Sequence, residues 1–180
     1  GMQSKNGGWG SFDKDNTYHY LNNIPFADHG ALLDPPTADV SARCVSMLSQ
    51  INKKNYKNEI QKGIKFLKNE QEEDGSWFGR WGANYIYGTW SVLHALNAAG
   101  ENMNANYIKK AIAWIKNKQN KDGGWGESCA TYWREKKNMP SIKSMPSQTS
   151  WAILSLFITE KINDPSIEKG IKFLKKKFDK

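Results

Sequence analysis

Apolar residues recur at helical spacing in six stretches of the chain, separated by polar turn residues. The first follows Pro35-Pro36: Thr37 or Asp39 can cap its free amides, and Val40, Cys44, Val45, Met47, Leu48 and Ile51 form its stripe. The second runs from about Tyr56 to Gln71, with Ile60, Ile64 and Leu67 on one face. The third continues from Tyr87 through Leu93 and Leu96 to Ala99, and Gly100 supplies its C-cap. It is small and apolar almost throughout, which predicts an inner helix, whereas the lysine-rich fourth, from Ala105 to Gln119, keeps one face for water. The fifth spans Thr149 to Ile158, with Ser147 as a cap candidate. Asp164-Pro165 opens the sixth, Ser166 to Lys177, with proline at the first helical position.

One stretch is written twice. Residues 63–77 read GIKFLKNEQEEDGSW and residues 111–125 read AIAWIKNKQNKDGGW. The offset holds for the apolar positions, for the glutamines Gln71 and Gln119, for the Asp-Gly turn and for the closing Trp77 and Trp125. Each copy leads into a second apolar helix, so the unit is a helical hairpin that cannot bury its own apolar face and must stack on its neighbours. Each glutamine ends a helix, where carbonyls lack partners. Its amide can donate to such a carbonyl or to the turn while its plane lies across the tryptophan ring, clipping an outer helix to an inner one. These four residues are read as structural. Residues 1–6 are taken as a tag scar and flexible lead, and 7–180 as one truncated domain.

The remaining segments carry little period. Residues 5–36 are rich in Gly, Asn, Asp and Pro, yet Trp9, Phe12, Tyr18, Leu21, Ile24 and Phe26 argue that this long loop packs. Residues 132–146 are expected as a mobile surface loop.

Composition changes this picture in two ways. Eight tryptophans, seven tyrosines and seven phenylalanines exceed what a 180-residue core needs, so some are free to line a cavity. The net charge of +8 comes from lysines on the polar faces of amphipathic helices, without the arginine clusters or motifs of a nucleic-acid surface. Two cysteines are too few for a disulfide scaffold and fit a reducing compartment. No run is long enough to span a bilayer. Asp13, Asp15, Asp28, His19 and His29 lack a metal-ligand spacing, so no metal is expected.

The stretches GGWGSFDKDN (7–16), NNIPFADHGALLDPPTADVSARC (22–44), NEQEEDGSWFGRWGANYIYGTW (69–90), KQNKDGGWGESCATY (118–132) and PSQTSWAILSL (146–156) resemble the squalene–hopene cyclase family of class II triterpene cyclases. The resemblance implies an all-α fold, a partial α/α barrel or toroid of inner and outer helices joined by Gln…Gly-Trp turns. It implies protonation of a polyprene by an aspartic acid of a D-x-D-D motif, carbocations steadied by aromatic rings, no cofactor, and an enzyme on one membrane face. Phe12, Phe26, Trp81 and Tyr87 fall where the family lines its substrate cavity. Phe12 replaces a tyrosine of some members, and His29 a phenylalanine. Asp39 matches an aspartate that orients the catalytic acid, and Arg43 stands where its usual histidine partner would. D-x-D-D itself occurs nowhere, since Asp13-Lys14-Asp15-Asn16 reads DKDN. The acid is therefore expected upstream and the remainder of the cyclase chain outside these 180 residues, which alone are expected to be inactive.

Two alternatives stand beside this. One is a helical repeat module that binds a protein partner through an apolar groove. The other is a protein prenyltransferase β-like domain, to which Cys129 and His94 could belong, although the glycine–tryptophan motifs fit the cyclases better.

Overall fold

A computed structural model describes residues 1–25, 32–160 and 162–178. Among these residues the fold is all-α. Its helices are α1 (Ala38–Asn52), α2 (Lys57–Asn69), α3 (Tyr85–Ala99), α4 (Asn106–Asn117), α5 (Pro146–Leu156) and α6 (Pro165–Phe178), with short 3-10 turns at His19–Asn23, Cys129–Tyr132 and Arg134–Lys136. The helices α1, α3 and α5 pack side by side as one row, and α2, α4 and α6 alternate with them along the chain. The division follows composition. Ten of the fifteen residues of α3 are buried, whereas α2 buries five of thirteen (Ile60, Gly63, Ile64, Phe66 and Leu67) and α4 five of twelve (Ile108, Ala111, Ile112, Trp114 and Ile115), with most of their lysines turned outward.

The helix ends expose where pattern and geometry part. Gly100 closes α3 as expected, at φ 77°, with its amide returning to the Asn97 carbonyl. Asp164 opens α6 by accepting from the Ser166 amide at 2.9 Å. At α1, neither sequence-predicted cap acts as one: the Thr37 hydroxyl is buried without a partner, and Asp39 lies inside the first turn with its carboxylate turned to another segment. At α5, Pro146 sits in the first turn and Met145, not Ser147, precedes the helix.

Among the described residues the repeated turn occurs three times, not two. Residues 3–9, 71–77 and 119–125 close with the same bonds: Ser4 to Gly8, Glu72 to Ser76 and Asn120 to Gly124, each amide-to-carbonyl at 2.9 Å. In each, the glutamine Nε2 donates twice. Gln3 reaches the Gly7 and Glu59 carbonyls, Gln71 those of Gly75 and Tyr107, and Gln119 those of Gly123 and Ser166, all within 2.8–2.9 Å. The second acceptor always lies in or beside the next lysine-rich helix. The glutamine therefore links one turn to the following lysine-rich helix, rather than making the outer-to-inner tie that the sequence suggests. The tryptophan ties together the two helices that its turn joins. Trp77 Nε1 donates to the Leu67 carbonyl of α2 while its amide donates to the Thr89 hydroxyl of α3, and Trp125 does the same with Ile115 and Thr149. Residues 1–6, expected as a lead outside the domain, thus contribute Gln3 and the buried Ser4 to the first turn.

The segment 132–146 is likewise no free loop. Lys137 pairs with Glu72 at 3.3 Å and Asp74 at 3.1 Å, and Ser144 is buried with its hydroxyl donating to Asp122 at 2.6 Å. Its charges find partners some sixty positions away, which no local period reveals.

Candidate functional site

Once the buried residues of α3 are assigned to packing, Tyr87, Trp90 and His94 remain as a half-buried stripe at i, i+3 and i+7. Neighbouring helices extend it. Trp151 of α5 stacks on Trp90 with centroids 5.9 Å apart at 21°, and lies 5.1 Å from Tyr87. From α1, the Arg43 guanidinium sits 4.6 Å above the Trp90 ring. One face of the α1–α3–α5 row thus carries the rings of Tyr87, Trp90 and Trp151 in mutual contact, with the Arg43 guanidinium over one of them.

A second aromatic pair stands at the end of this row. Phe12 and Trp81 meet edge to face at 5.8 Å and 87°. They are 63% and 41% exposed, so this end of the wall is open. Two carboxylates hold it in place. Buried Asp34 accepts from the amides of Ser11, Phe12 and Asp13 at 3.0, 2.6 and 2.8 Å, which fixes the loop carrying Phe12. Buried Asp39 accepts from the Trp81 amide at 2.9 Å, and its other oxygen, Oδ1, is buried without a partner. The Trp81 loop can lie against Tyr87 because it is built of glycine: a Cβ on Gly79 or Gly82 would come within 2.8 or 2.6 Å of the Tyr87 ring.

Glu127, from the turn after α4, caps α3. Its carboxylate accepts from the amides of Asn84, Tyr85 and Ile86 at 3.2, 3.0 and 2.9 Å and from the Thr131 hydroxyl at 2.8 Å. A negative charge here satisfies amides that the helix leaves free and meets the positive end of its dipole. Beyond the cap, Phe78 makes edge contacts with Tyr85 and Tyr132 at 5.7 and 5.8 Å. Burial pushes both phenols up to about 12, so neither carries charge at neutral pH. Such a surface offers ring quadrupoles and few bases. It favours a diffuse cation or an apolar chain over an anion.

The residues singled out from sequence are therefore placed as follows. Phe12 and Trp81 touch each other, Tyr87 joins the α3–α5 rings, and Asp39 supports Trp81. Arg43 is exposed on Trp90, and among the described residues it forms no ion pair with Asp39. Phe26, Asp28 and His29 lie outside the described residues. Sequence reading missed Gln3, although its six-residue spacing to Trp9 matches that of Gln71 to Trp77. It also missed Asp34 and Glu127, which bind mostly backbone amides and so leave little side-chain signature, and it gave Trp90 and Trp151 no role.

A family description, the squalene-hopene cyclase C-terminal domain, matches residues 1–180. The chain belongs to the squalene–hopene cyclase family. It is 62% identical over 174 residues to a squalene-hopene cyclase of Schizosaccharomyces japonicus, covering 97% of this chain and 26% of that protein. With the squalene–hopene cyclase of Alicyclobacillus acidocaldarius the identity is 47%, over 97% of this chain and 27% of the relative. This family chain thus spans about a quarter of the length of the curated relatives it matches. Among solved structures, it superposes on the type II terpene cyclase MstE from Scytonema, in complex with geranylgeranyl dihydroxybenzoate, with a TM-score of 0.64 at 16% identity, covering 98% of this chain and 44% of that one. The ent-copalyl diphosphate synthase from Streptomyces platensis gives 0.61 at 22%, covering 79% and 27%. At those identities the likeness is one of fold. Among the described residues, no helix is long and apolar enough to cross a membrane.

Proposed function

We propose that the chain is part of the catalytic domain of a polyprene cyclase, and that the intact protein cyclises squalene or a related polyprene by protonation and carbocation migration. In this reading α1, α3 and α5 are inner helices, and α2, α4 and α6 outer helices, of an α/α toroid clipped by the three Gln…Trp turns. Residues 7–180 belong to one such domain, into which the turn at Gln3 draws the residues before it. Phe12, Phe26, Trp81 and Tyr87 line the substrate cavity. Asp39 and Arg43 help orient an acid of a D-x-D-D motif that lies outside these 180 residues. The intact enzyme rests on a membrane face, since its substrate dissolves there and not in water.

The observation that carries this reading is the run of rings on one side of the row: Phe12 on Trp81, and Tyr87 with Trp90 on Trp151. A cation within such a wall gains about 2 kcal/mol or more per desolvated ring without losing a proton to a base. Stabilising the cation more than the alkene is what lowers the barrier. The test is squalene conversion by the intact protein in detergent, without added metal or cofactor. Cyclised product is expected, with Tyr87→Ala and Trp81→Ala lowering kcat at least tenfold. The 180-residue chain alone is expected to give no product. An intact protein that leaves squalene and shorter polyprenes unchanged overturns the reading.

A further inference from the structure

Two buried polar atoms interrupt the aromatic face. Trp90 Nε1 and His94 Nε2 are both shielded from solvent, and neither has a hydrogen-bond partner. They stand one helical turn apart on α3, with ring centroids 5.6 Å apart at 61°. An indole N–H can only donate. The imidazole is set to accept. Burial lowers its pKa, a hydrogen bond to the Leu154 backbone works against that, and Arg43 adds to the lowering, with a net shift below the ordinary histidine value. A neutral ring with its proton toward the Leu154 backbone presents a lone pair at Nε2.

A buried donor and a buried acceptor left open cost about 1–3 kcal/mol each, and so large a cost rarely persists without a purpose. The surroundings make the pair conspicuous. The Tyr87 ring lies 5.9 Å from that of Trp90 at 45°, Trp151 stacks on Trp90, and the Arg43 guanidinium sits over it. A group that accepts one hydrogen bond and donates another, and is small enough to come within reach of both nitrogens, satisfies both atoms. A hydroxyl does this. A carboxylate lacks the proton for Nε2, and an ammonium lacks the lone pair for the indole.

We propose that Trp90 and His94 form a binding site for one hydroxyl oxygen, either a water molecule or the terminal hydroxyl of an oxygenated polyprene. This rests on the cyclase reading for its consequence. In the water case, the indole N–H and the imidazole hold the molecule with a lone pair free. That pair forms the C–O bond to a cationic carbon, one water proton passes to His94 Nε2, and a neutral alcohol leaves. The imidazolium then returns its proton to solvent. In the substrate case, the same two atoms anchor the oxygenated end of the chain and set the direction in which it lies along the wall.

The experiment joins a crystal structure of the intact protein to product analysis of Trp90→Phe, which keeps the ring and removes the N–H, and of His94→Leu and His94→Gln. The expected structure has an oxygen within about 3.2 Å of both nitrogens. With squalene as substrate, a water site predicts that the ratio of alcohol to alkene falls about fivefold in Trp90→Phe and His94→Leu, the loss of one neutral hydrogen bond. His94→Gln, whose amide oxygen can accept near the same place, recovers part of it. With a polyprene alcohol as substrate, a substrate site predicts a KM raised about fivefold, a larger change than squalene shows. In a protein that converts polyprenes, an oxygen seen with neither readout moved is a structural water only and overturns the proposal, as does a structure with none. If the intact protein converts no polyprene, the cyclase reading falls by itself, and the crystallographic oxygen alone decides whether the hydroxyl site exists.

Discussion

Gln71 Nε2 and the Tyr107 carbonyl lie 2.9 Å apart, and that bond joins the turn after α2 to the first turn of α4. The amide also holds Gly75 within its own turn. Gln71→Leu keeps the volume and removes both donors, leaving two carbonyls short of a partner. We expect a loss of about 1–2 kcal/mol in urea denaturation. Gln119→Leu should cost the same, because its two bonds repeat those of Gln71. Equal stabilities of both variants and the wild type would remove the clip from the account.

Backbone contact explains why these turns contain glycine at one fixed place. Gly75 has φ 96°, and a Cβ there would meet the Lys110 backbone at 2.8 Å. Gly75→Ala therefore combines torsional strain with a clash against a helix that cannot yield. At Gly100 the φ is 77°, but the nearest obstacle is the Lys53 Nζ, the free end of a flexible side chain. Both substitutions should destabilise by more than about 1 kcal/mol, with Gly75→Ala the worse of the two. Thermal denaturation of the pair gives the order directly.

Acid should loosen the same turns. Burial pushes the Asp74 carboxyl up, but hydrogen bonds from the Ser76 side chain and amide and from Lys137 outweigh it, so its pKa lies below the ordinary value. Asp164 is held down in the same sense: burial is outweighed by Lys116 and the Ser166 amide. A depressed folded pKa gives stability that is complete above the unfolded value of about 3.9 and lost as pH falls through the folded one. Denaturation midpoints should drop below about pH 4, and Asp74→Asn with Asp164→Asn should flatten that drop while lowering stability at pH 7.

Much of the helical frame was legible because burial writes a period into sequence. Ile60, Ile64 and Leu67 announce α2, and Gly100 announces the end of α3. Spacing revealed two of the three turns. The third was readable in the same terms, since Gln3 and Trp9 have the spacing of Gln71 and Trp77. What stayed hidden depends on contacts between distant residues. Glu127 gives no local sign that it serves the amides of Asn84, Tyr85 and Ile86, and Lys137 gives none that it meets Glu72 and Asp74. The aromatic face was half legible. Tyr87 and Trp81 came from a family resemblance, whereas the stacking of Trp90 on Trp151 needs two helices from different hairpins to meet.

The Glu127 cap offers a test of charge against shape. Glu127→Gln retains an acceptor oxygen and the side-chain length but loses the negative charge before α3. Charge-assisted bonds to helix amides are about twice as strong as neutral ones, and the dipole term adds about 0.3–1 kcal/mol. A loss of about 1–2 kcal/mol is expected, and Glu127→Ala should exceed it because three amides then lack any acceptor. If Glu127→Gln matches the wild type, hydrogen bonding alone holds the helix start.

Asp34 makes the corresponding test at the open end of the wall. Its carboxylate gathers three consecutive amides, and the middle one belongs to Phe12, whose ring meets Trp81. The rest of Phe12 is largely open to solvent, at 63% exposure. Asp34→Ala should free residues 11–13 while leaving α1 and α3 intact, since Ala42, Val45, Val92 and Leu96 of those helices are buried in the core. If Phe12 lines the substrate cavity as proposed, the expected result in the intact protein is a kcat reduced about tenfold, with a denaturation midpoint shifted far less than by a core substitution. Phe12→Ala should reproduce the kinetic loss, and combining it with Asp34→Ala should add little, because both remove the same ring from the same place. Additive losses would mean that Asp34 acts on the reaction by a route other than Phe12.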